Sequence, residues 1–366
     1  IKLFDLFLGK NNLTDWRMND FNKSEFAILK KIKRPLEIKT LKIPEPSKNQ
    51  ILVKVMYSYV CGTQLNEING RKGKDKYLPH TLGHEASGKV LKIGTNVKKF
   101  RIGESVILSW IKKNMTDDKS ANYHDLKGEK INSGHVSTFS KLTLVAQSRV
   151  YKTPKKLPLD IAALLGCAIP TGFGVALKYF SKFNKNDYVG VYGVGGVGLM
   201  SVMALKALGF KNIYAVDQNK KNLTTAKRFG CKKIYNFNIL KDENKFNIEI
   251  NKEKIKFNIE LSGSKEMMQH AYKNLSKDGT FVLAGNTKVG QKIKINPYDL
   301  IFGKKIHGFS GNDVSLEGNI NIYSKIIKKI GFSKIRRLYK TYSFKNINIA
   351  INDFNKRKVL RPLIKF

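Results

Sequence analysis

Cysteine, acidic residues and long apolar runs are all scarce in this chain of 366 residues. Three cysteines are too few for a disulfide framework and are typical of a reducing compartment. The most apolar tract, residues 189–205, is interrupted by closely spaced glycines, so we interpret it as a strand, a turn and a helix rather than a membrane span. Residues 1–8 form a short stretch that carries Asp5 and lacks a small-residue cleavage site, so we expect no signal peptide there. We therefore expect a cytoplasmic protein with no membrane-spanning segment.

Acidic residues are strongly outnumbered by basic ones. The chain has 68 lysines and arginines against 28 aspartates and glutamates, which gives a formal net charge of +40. A surface that binds polyanions is one interpretation. The basic residues are scattered in pairs and triplets, however, which favours a compositional bias toward lysine, asparagine and isoleucine. We expect salt-sensitive, non-specific attraction to polyanions and no specific nucleic-acid partner.

Two different textures follow one another along the chain. Up to about residue 150, short β-like runs such as residues 50–57 alternate with turns, which predicts a compact, barrel-like β domain. After about residue 157, strand-like and helix-like segments alternate, which is typical of a parallel sheet covered by helices on both faces. Residues 1–24 are polar and aperiodic, and we interpret them as an extension.

A glycine-rich turn follows the strand-like residues 188–192. The first glycine of such a turn allows a tight bend, the second lets a pyrophosphate approach the backbone, and the third lets the next helix pack closely on the strand. That helix points its amino end at the phosphates. Asp217 ends the next strand, where it can accept hydrogen bonds from the adenine ribose or, alternatively, cap the following helix. The pattern predicts binding of NAD rather than NADP, at Gly193, Gly195, Gly196 and Gly198.

Three residues far apart in the sequence, Cys61, His84 and Cys167, stand in polar, turn-like contexts. Two thiolates and one imidazole leave the fourth tetrahedral position of zinc open for water or substrate, which is typical of a catalytic zinc. Glu85 beside His84 either orients the site or forms a salt bridge. Thr63 either takes the proton of a zinc-bound alcohol or makes a local turn hydrogen bond.

From about residue 25 onward, the chain resembles the zinc-dependent alcohol dehydrogenases of the medium-chain dehydrogenase/reductase (MDR) family. Seven stretches carry the resemblance, in order along the chain: residues 60–63, 83–85, 103–106, 164–174, 193–198, 216–221 and 359–362.

This resemblance implies an α/β protein of two domains. A GroES-like β-barrel catalytic domain is expected over residues 25–168, completed by residues 312–366. A Rossmann domain, with a doubly wound parallel sheet that binds NAD, is expected over residues 169–311. Family members are dimers or tetramers, so the resemblance also implies a homo-oligomer.

The resemblance also assigns roles to individual residues. Cys61, His84 and Cys167 bind the catalytic zinc, and Thr63 starts a proton relay. The remaining assignments concern the coenzyme and the substrate: Thr171 lies near the nicotinamide, Lys221 joins Asp217 at the adenosine ribose, Arg361 reaches the pyrophosphate, and Trp110 forms a wall of the substrate pocket.

Two departures from the family pattern change these expectations. Residues 110–136 lack the four cysteines of the family's second zinc, so we expect no structural zinc, with an unusual site at His124, Asp125 and His135 as the alternative. Asn66 stands where relatives carry a relay histidine. Because an amide does not exchange a proton near neutral pH, the relay is expected to end in water or a ribose hydroxyl.

The sequence thus predicts an NAD-dependent zinc alcohol or polyol dehydrogenase (EC 1.1.1.-), which transfers hydride between a small alcohol, polyol or sugar and the nicotinamide. A zinc-free reductase of the quinone-reductase type is one alternative. A non-catalytic relative that binds nucleotides or polyanions is the other alternative, and the net charge of +40 is the observation that favours it.

Overall fold

A computed structural model describes residues 20–115, 120–180, 183–238 and 255–366. Most of the expected extension, residues 1–19, lies outside these ranges. The described residues form two compact units. The first contains the described residues up to Gly70, Lys74–Gly166 and Lys340–Phe366, and the second contains Arg71–Gly73 and Cys167–Tyr339.

Short strands dominate the first half of the chain, and strands alternate with helices in the second. Strands β1 to β18 span Lys23–Leu29, Glu37–Lys42, Gln50–Tyr59, His80–Thr81, Glu85–Ile93, Ser105–Ser109, Tyr123–Asp125, Lys130–Ile131, Leu142–Ala146, Val150–Lys152, Tyr188–Tyr192, Asn212–Asp217, Lys233–Asn236, Ile255–Glu260, Thr280–Leu283, Lys305–Gly308, Tyr339–Ser343 and Arg361–Lys365. Helices α1 to α10 span Gly62–Ile68, Leu159–Ala162, Ala168–Phe180, Gly196–Ala207, Lys220–Arg228, Lys265–Lys273, Pro297–Ile301, Leu316–Ile330, Phe332–Arg336 and Ile347–Asn355.

The first unit is built from two mainly antiparallel sheets. One has the order β4-β1-β2-β7-β8, and the other has the order β10-β6-β5-β3-β18-β17, with β9 also paired to β3. Its core is rich in β-branched side chains from facing strands, such as Ile51, Val53, Val90 and Val106, which suit a pleated surface. The C-terminal strand β18 pairs antiparallel with β3, with Leu363 opposite Tyr59. The last residues of the chain therefore complete a sheet that begins near residue 50.

The second unit is a six-stranded parallel sheet with the order β13-β12-β11-β14-β15-β16. Parallel strands need crossover connections, and helices supply several of them: α4 joins β11 to β12, and α5 joins β12 to β13. Helix α4 is buried over most of its length, and its glycine-rich start follows β11 directly. Helix α8 packs on α3 and α4 within this unit. The chain returns to the first unit at Lys340, whereas the sequence-based boundary was residue 312.

Within residues 110–136, where the resemblance would place a second zinc, the described residues include the antiparallel strands β7 and β8. One oxygen of Asp125 accepts hydrogen bonds from the backbone N–H groups of Lys127 and Glu129, each at 2.9 Å. Its other oxygen lies 3.7 Å from Lys39 Nζ. Within the described ranges, no potential metal group includes His124, Asp125 or His135. That no structural zinc binds stays a prediction.

Across residues 20–115, 120–180, 183–238 and 255–366, no single helix has both the length and the apolar character to cross a membrane. The adjoining segments Leu159–Gly166 and Ala168–Phe180 pass that test only as a bent pair, and most of their side chains are buried in the protein.

Candidate active site

The three predicted metal ligands lie at the ends of secondary-structure elements. Cys61 follows β3 and precedes the first residue of α1, His84 directly precedes β5, and Cys167 lies between the turn Ala163–Gly166 and α3. The Ser109 hydroxyl at the end of β6 donates to the carbonyl of Gly166 at 2.6 Å, which fixes the backbone next to Cys167.

These ligands come together with a fourth group, the carboxylate of Glu85. One ligand atom from each of Cys61, His84, Glu85 and Cys167 lies within 4.8 Å of all the others. Both cysteines are free thiols with 7% exposure. Nε2 of His84 is buried and has no hydrogen-bond partner. Because buried nitrogens are normally paired, this orphaned nitrogen among two sulfur atoms fits a zinc ion well.

The surroundings of His84 favour a positive charge. Burial alone lowers the pKa of His84, but the side chain of Cys61 and the negative charges of Glu85 and Glu67 outweigh burial, so the pKa is raised. A site that stabilises a proton in this way also suits a bound cation. The histidine is thus held in a pocket whose electrostatics match the ligand set.

Gln64 holds two of the ligands, and the sequence analysis missed it. This residue is 2% exposed. Its side-chain oxygen accepts from the backbone N–H of Cys61 at 3.0 Å, and its amide nitrogen contacts Nδ1 of His84. Nδ1 thus contacts Gln64, and Nε2 is the ring nitrogen without a hydrogen-bond partner in the protein. The spacing Cys61-x-x-Gln64 is that of a helix capping box, a signal that could have pointed to this residue.

Glu85 is paired with Arg361, although the two are 276 positions apart in the sequence. Glu85 is fully buried and Arg361 is 2% exposed, and Nη2 of the arginine donates to Oε1 of the glutamate. The guanidinium also lies over the ring of Tyr59, 5.2 Å from its centroid. Glu85 thus lies in the metal group and forms a salt bridge, the two roles that the sequence left open. Contact of Arg361 with a pyrophosphate stays a prediction.

Thr63 and Trp110 lie close to the metal group. Thr63 Oγ1 is 3.9 Å from the Cys61 sulfur, in the first turn of α1. The backbone N–H of Trp110 donates to the carbonyl of His84 at 3.1 Å, and its own carbonyl accepts from Arg149. Asn66, on the same short helix as Thr63, is half-buried.

The predicted glycine turn lies at the carboxyl end of β11. Gly193 has a positive φ of 81°, and a Cβ there would lie 2.5 Å from the backbone nitrogen of Ser262. Gly195 is the residue before α4 and has open space where a side chain would be, while Gly196 begins the helix. A side chain on Gly198 would clash with the carbonyl of Gly193. Each glycine therefore lies where a phosphate-binding turn requires it.

Asp217 supports this turn through its carboxylate. Its predicted hydrogen bonds with the adenine ribose stay a prediction. Its Oδ2 accepts from the backbone N–H of Val194 at 2.9 Å, and its Oδ1 accepts from that of Asn219 at 2.7 Å. Asn219, not Asp217, caps α5, since its side chain accepts from the backbone N–H of Lys221. The side chain of Lys221 is exposed. Thr171 donates its hydroxyl to the carbonyl of Cys167 at 2.9 Å.

A cavity of about 830 Å³ lies beyond the ends of β12 and β13 in the second unit. Gln218 and Phe237 line it where these strands end, and Gln269 and Lys273 line it from α6. Ligands of open parallel sheets bind outside the carboxyl ends of the strands, and Gln218 and Phe237 extend the cavity to that edge, while the rest of its lining comes mainly from α6 and residues 294–304.

Comparison with known proteins places both units in one family. Residues 47–155 match the alcohol dehydrogenase GroES-like domain, and residues 196–325 match the zinc-binding dehydrogenase domain. The S-(hydroxymethyl)glutathione dehydrogenase of Saccharomyces cerevisiae is 29% identical over 374 aligned positions, which cover 93% of this chain and 95% of the relative. The class-3 alcohol dehydrogenase of Dictyostelium discoideum is 26% identical, over 92% of this chain and 96% of the relative.

A solved structure supports the same conclusion. The benzyl alcohol dehydrogenase from Acinetobacter calcoaceticus has a TM-score of 0.82 and 27% identity, covering 94% of this chain and 99% of that one. Fold, site and relatives define a zinc-type alcohol dehydrogenase. The chain belongs to the zinc-dependent alcohol dehydrogenases of the MDR family. The predicted fold, a GroES-like barrel with a Rossmann domain, and the predicted oxidoreductase class are confirmed, and zinc with NAD or NADP are its cofactors.

Proposed function

We propose that this chain transfers hydride between an alcohol and NAD, with one zinc held by Cys61, His84 and Cys167. The observation that carries the proposal is His84, whose buried Nε2 has no hydrogen-bond partner and whose imidazole offers a ligand atom within 4.8 Å of two thiol sulfurs. When bound, zinc supplies Lewis acidity toward the substrate oxygen, and the coenzyme supplies the carbon that accepts or gives the hydride.

Thr63 is proposed to move the substrate proton. Its hydroxyl lies next to the Cys61 sulfur, so an alcohol oxygen at the metal group would be within reach of Oγ1. A hydroxyl can accept one proton while it donates its own, whereas the amide of Asn66 cannot pass a proton on near neutral pH. The proton therefore leaves Thr63 toward water or the coenzyme ribose. Trp110, anchored on the carbonyl of His84, is proposed to exclude water as a wall of the substrate pocket.

The preference for NAD over NADP rests on Asp217. Its carboxylate is 8% exposed and lies at the end of β12, beside the cavity that would receive the adenosine. A carboxylate there accepts hydrogen bonds from ribose hydroxyls and repels a 2′-phosphate. Thr171, Lys221 and Arg361 are proposed to contact the nicotinamide, the ribose and the pyrophosphate, respectively.

The substrate is proposed to be a small alcohol, polyol or sugar. One relative is named for S-(hydroxymethyl)glutathione and another for benzyl alcohol, and these two compounds are therefore included among those to test. A screen with NAD that includes these two, simple primary alcohols and polyols separates the classes. A strong preference for small neutral alcohols would remove anionic substrates from consideration.

A homo-oligomer, dimer or tetramer, is proposed from an apolar surface on the second unit. Helix α7 has no buried residue, and Tyr298, Ile301 and Phe302 are at least 58% exposed. Strand β16 next to it ends the parallel sheet. Exposed apolar surface beside an open strand edge favours association with a second copy. Light scattering of the protein and of Ile301→Glu tests this, and two monomeric species would contradict it. The protein is proposed to act in the cytoplasm, without a membrane or a specific nucleic-acid partner.

Elemental analysis of protein purified without chelator tests the metal assignment. We expect one zinc per chain, lost in Cys167→Ser. Cys231→Ser is the matched control, because Cys231 is buried in the second unit, where burial raises its pKa to about 12, and it belongs to no metal group within the described residues. Well-folded protein without zinc would contradict the proposal and favour a zinc-free reductase or a non-catalytic relative.

A further inference from the structure

Glu260 is a buried carboxyl group that no part of the proposed mechanism uses. It ends β14, at the carboxyl edge of the parallel sheet, and it is fully buried. Its Oε1 accepts from the backbone N–H of Ser262 at 2.7 Å, from that of Gly263 at 3.0 Å, and from the Ser262 hydroxyl. Its Oε2 is buried without a hydrogen-bond partner. One oxygen thus gathers three donors from the turn that follows the strand.

That turn, residues 261–264, lies directly against the glycine turn of the coenzyme site. The space in which Gly193 would carry a Cβ is filled by the backbone of Ser262, with the nitrogen at 2.5 Å and Cα at 2.6 Å. On the opposite side, Gly285 approaches closely, since a Cβ there would lie 2.5 Å from Glu260 Oε2 and 2.5 Å from the nitrogen of Gly263. The carboxyl group therefore lies between the turns that follow β14 and β15. Ser262 bonds to this carboxyl group and packs against Gly193, so it links the two.

Burial of an ionised carboxylate at this position raises the free energy of the folded state. Burial raises the pKa of Glu260 to about 7, and the hydrogen bonds from Ser262 and Gly263 only partly offset burial. A buried carboxyl with one unpaired oxygen does not favour folding. Costly, perturbed carboxyl groups are concentrated at functional sites, and this one touches the turn that packs on the phosphate-binding glycine.

No neighbouring charge accounts for the perturbation of Glu260. On β11, Tyr192 is its register partner, and burial raises the pKa of that phenol well above 10. On α6, His270 bonds to the Tyr192 hydroxyl at 3.0 Å, and Glu266 accepts from Ser264 at 2.7 Å. On β15, the register partner is the apolar Leu283.

We propose that Glu260 is a positioning residue for the coenzyme: its carboxylate fixes the turn 261–264 against Gly193 and so holds the phosphate-binding turn in its receptive shape. Ser262 and Gly263 transmit the effect, and Glu260 does not touch the coenzyme. The inference rests on the proposed function, because it assumes that a nicotinamide dinucleotide binds at Gly193–Gly198.

The test compares zinc-loaded wild type with Glu260→Gln, with the dissociation constant of NADH measured by fluorescence titration between pH 6 and 9. Glutamine keeps the shape but replaces charge-assisted hydrogen bonds with neutral ones, which are about half as strong. We expect roughly tenfold weaker NADH binding by Glu260→Gln at pH 8. Ser262→Ala, which loses one donor of three, should weaken binding by a smaller factor.

The pH profile distinguishes positioning from a general structural role. In the wild type, NADH binding should weaken as the pH falls through about 7, because protonation removes the carboxylate that holds the turn. Glu260→Gln should lack this component. Stability should change in the opposite direction. Between the ordinary pKa of a glutamate and about 7, Glu260 is protonated in the folded state and ionised in the unfolded state. The folded wild type is therefore stabilised as the pH falls through that window.

Glu260→Gln should accordingly be no less stable than the wild type at pH 8, while it binds NADH more weakly. Phe281→Leu, a change in the buried core at β15, is the matched control, and it should lower stability and leave NADH affinity unchanged. Unaltered NADH affinity in Glu260→Gln, or the same pH profile in both proteins, would overturn the role of Glu260 alone. Wild type that binds neither NADH nor NADPH would overturn the coenzyme assignment and this inference with it.

Discussion

The metal group and the coenzyme turn are built in opposite ways. At the metal group, side chains from three distant segments meet in a buried, polar setting, and the supporting residues Gln64 and Arg361 are buried as well. At the glycine turn, Gly193–Gly198, the proposed binding groups are backbone N–H groups of one contiguous segment; Asp217 bonds to this segment, and Glu260 is proposed to position it. The metal group depends on which side chains are present. The glycine turn depends on how closely its backbone can approach a pyrophosphate.

Removing the proposed proton carrier should have the largest effect on the metal side of this comparison. We expect Thr63→Val to lower turnover by at least about 100-fold, because valine keeps the shape but cannot pass a proton. NADH affinity should stay unchanged. Thr225→Val, on exposed α5, is the matched control and should retain activity. Equal losses of turnover and coenzyme affinity in Thr63→Val would contradict the assignment.

Loss of the support beneath His84 should have the next largest effect. Gln64→Ala frees Nδ1 of His84 and the backbone N–H of Cys61, and zinc affinity should fall about 10- to 100-fold. Gln64→Glu keeps an oxygen acceptor at the same place and should retain zinc. Competition with a chromophoric chelator measures both. Equal zinc affinity in Gln64→Ala and the wild type would contradict a supporting role of Gln64 at the metal group.

On the coenzyme side, a change at Asp217 should alter selectivity more than it alters overall turnover. Asp217→Asn keeps an acceptor for the backbone N–H of Val194 or Asn219 but removes the negative charge. We expect the ratio of kcat/KM for NADP to that for NAD to rise roughly tenfold. Asp217→Ala should show the same change in preference together with weaker binding of both coenzymes, because the glycine turn loses a support. An unaltered ratio in both variants would contradict the ribose contact.

The smallest expected effect concerns the surface outside both sites. A net charge of +40 predicts retention on an anionic resin or DNA at low salt. Raising the salt to a physiological concentration should release the protein, since scattered lysines provide attraction without specificity. Binding of one nucleic-acid sequence that persists at physiological salt would contradict this expectation and favour the polyanion-binding alternative.

The contrast between the two sites also explains what the sequence could predict. The glycine turn Gly193–Gly198 could be predicted because a strand precedes it and a helix and a second strand follow it. The ligands Cys61, His84 and Cys167 could be predicted because cysteine is scarce and the family pattern is specific. Gln64 carried only the weaker signal of its capping-box spacing, since a glutamine on a short helix is usually exposed. The pairing of Glu85 with Arg361 depends on β18 returning to β3, which no local pattern reveals. Glu260 was missed because its hydrogen-bond donors, two backbone N–H groups and the Ser262 hydroxyl, all belong to the turn that follows it.

The pairing of β18 with β3 has a consequence for how the chain is made. Tyr59 and Leu363 are register partners although they lie far apart in the sequence, so the sheet that carries Cys61 and His84 stays incomplete until β18 has left the ribosome. The parallel sheet closes earlier, because its six strands lie between residues 188 and 308. Domains fold as units during synthesis, and contacts between distant residues form slowly. The nascent protein should therefore complete its parallel sheet first, and the sheet that carries Cys61 and His84 only after β18 has emerged.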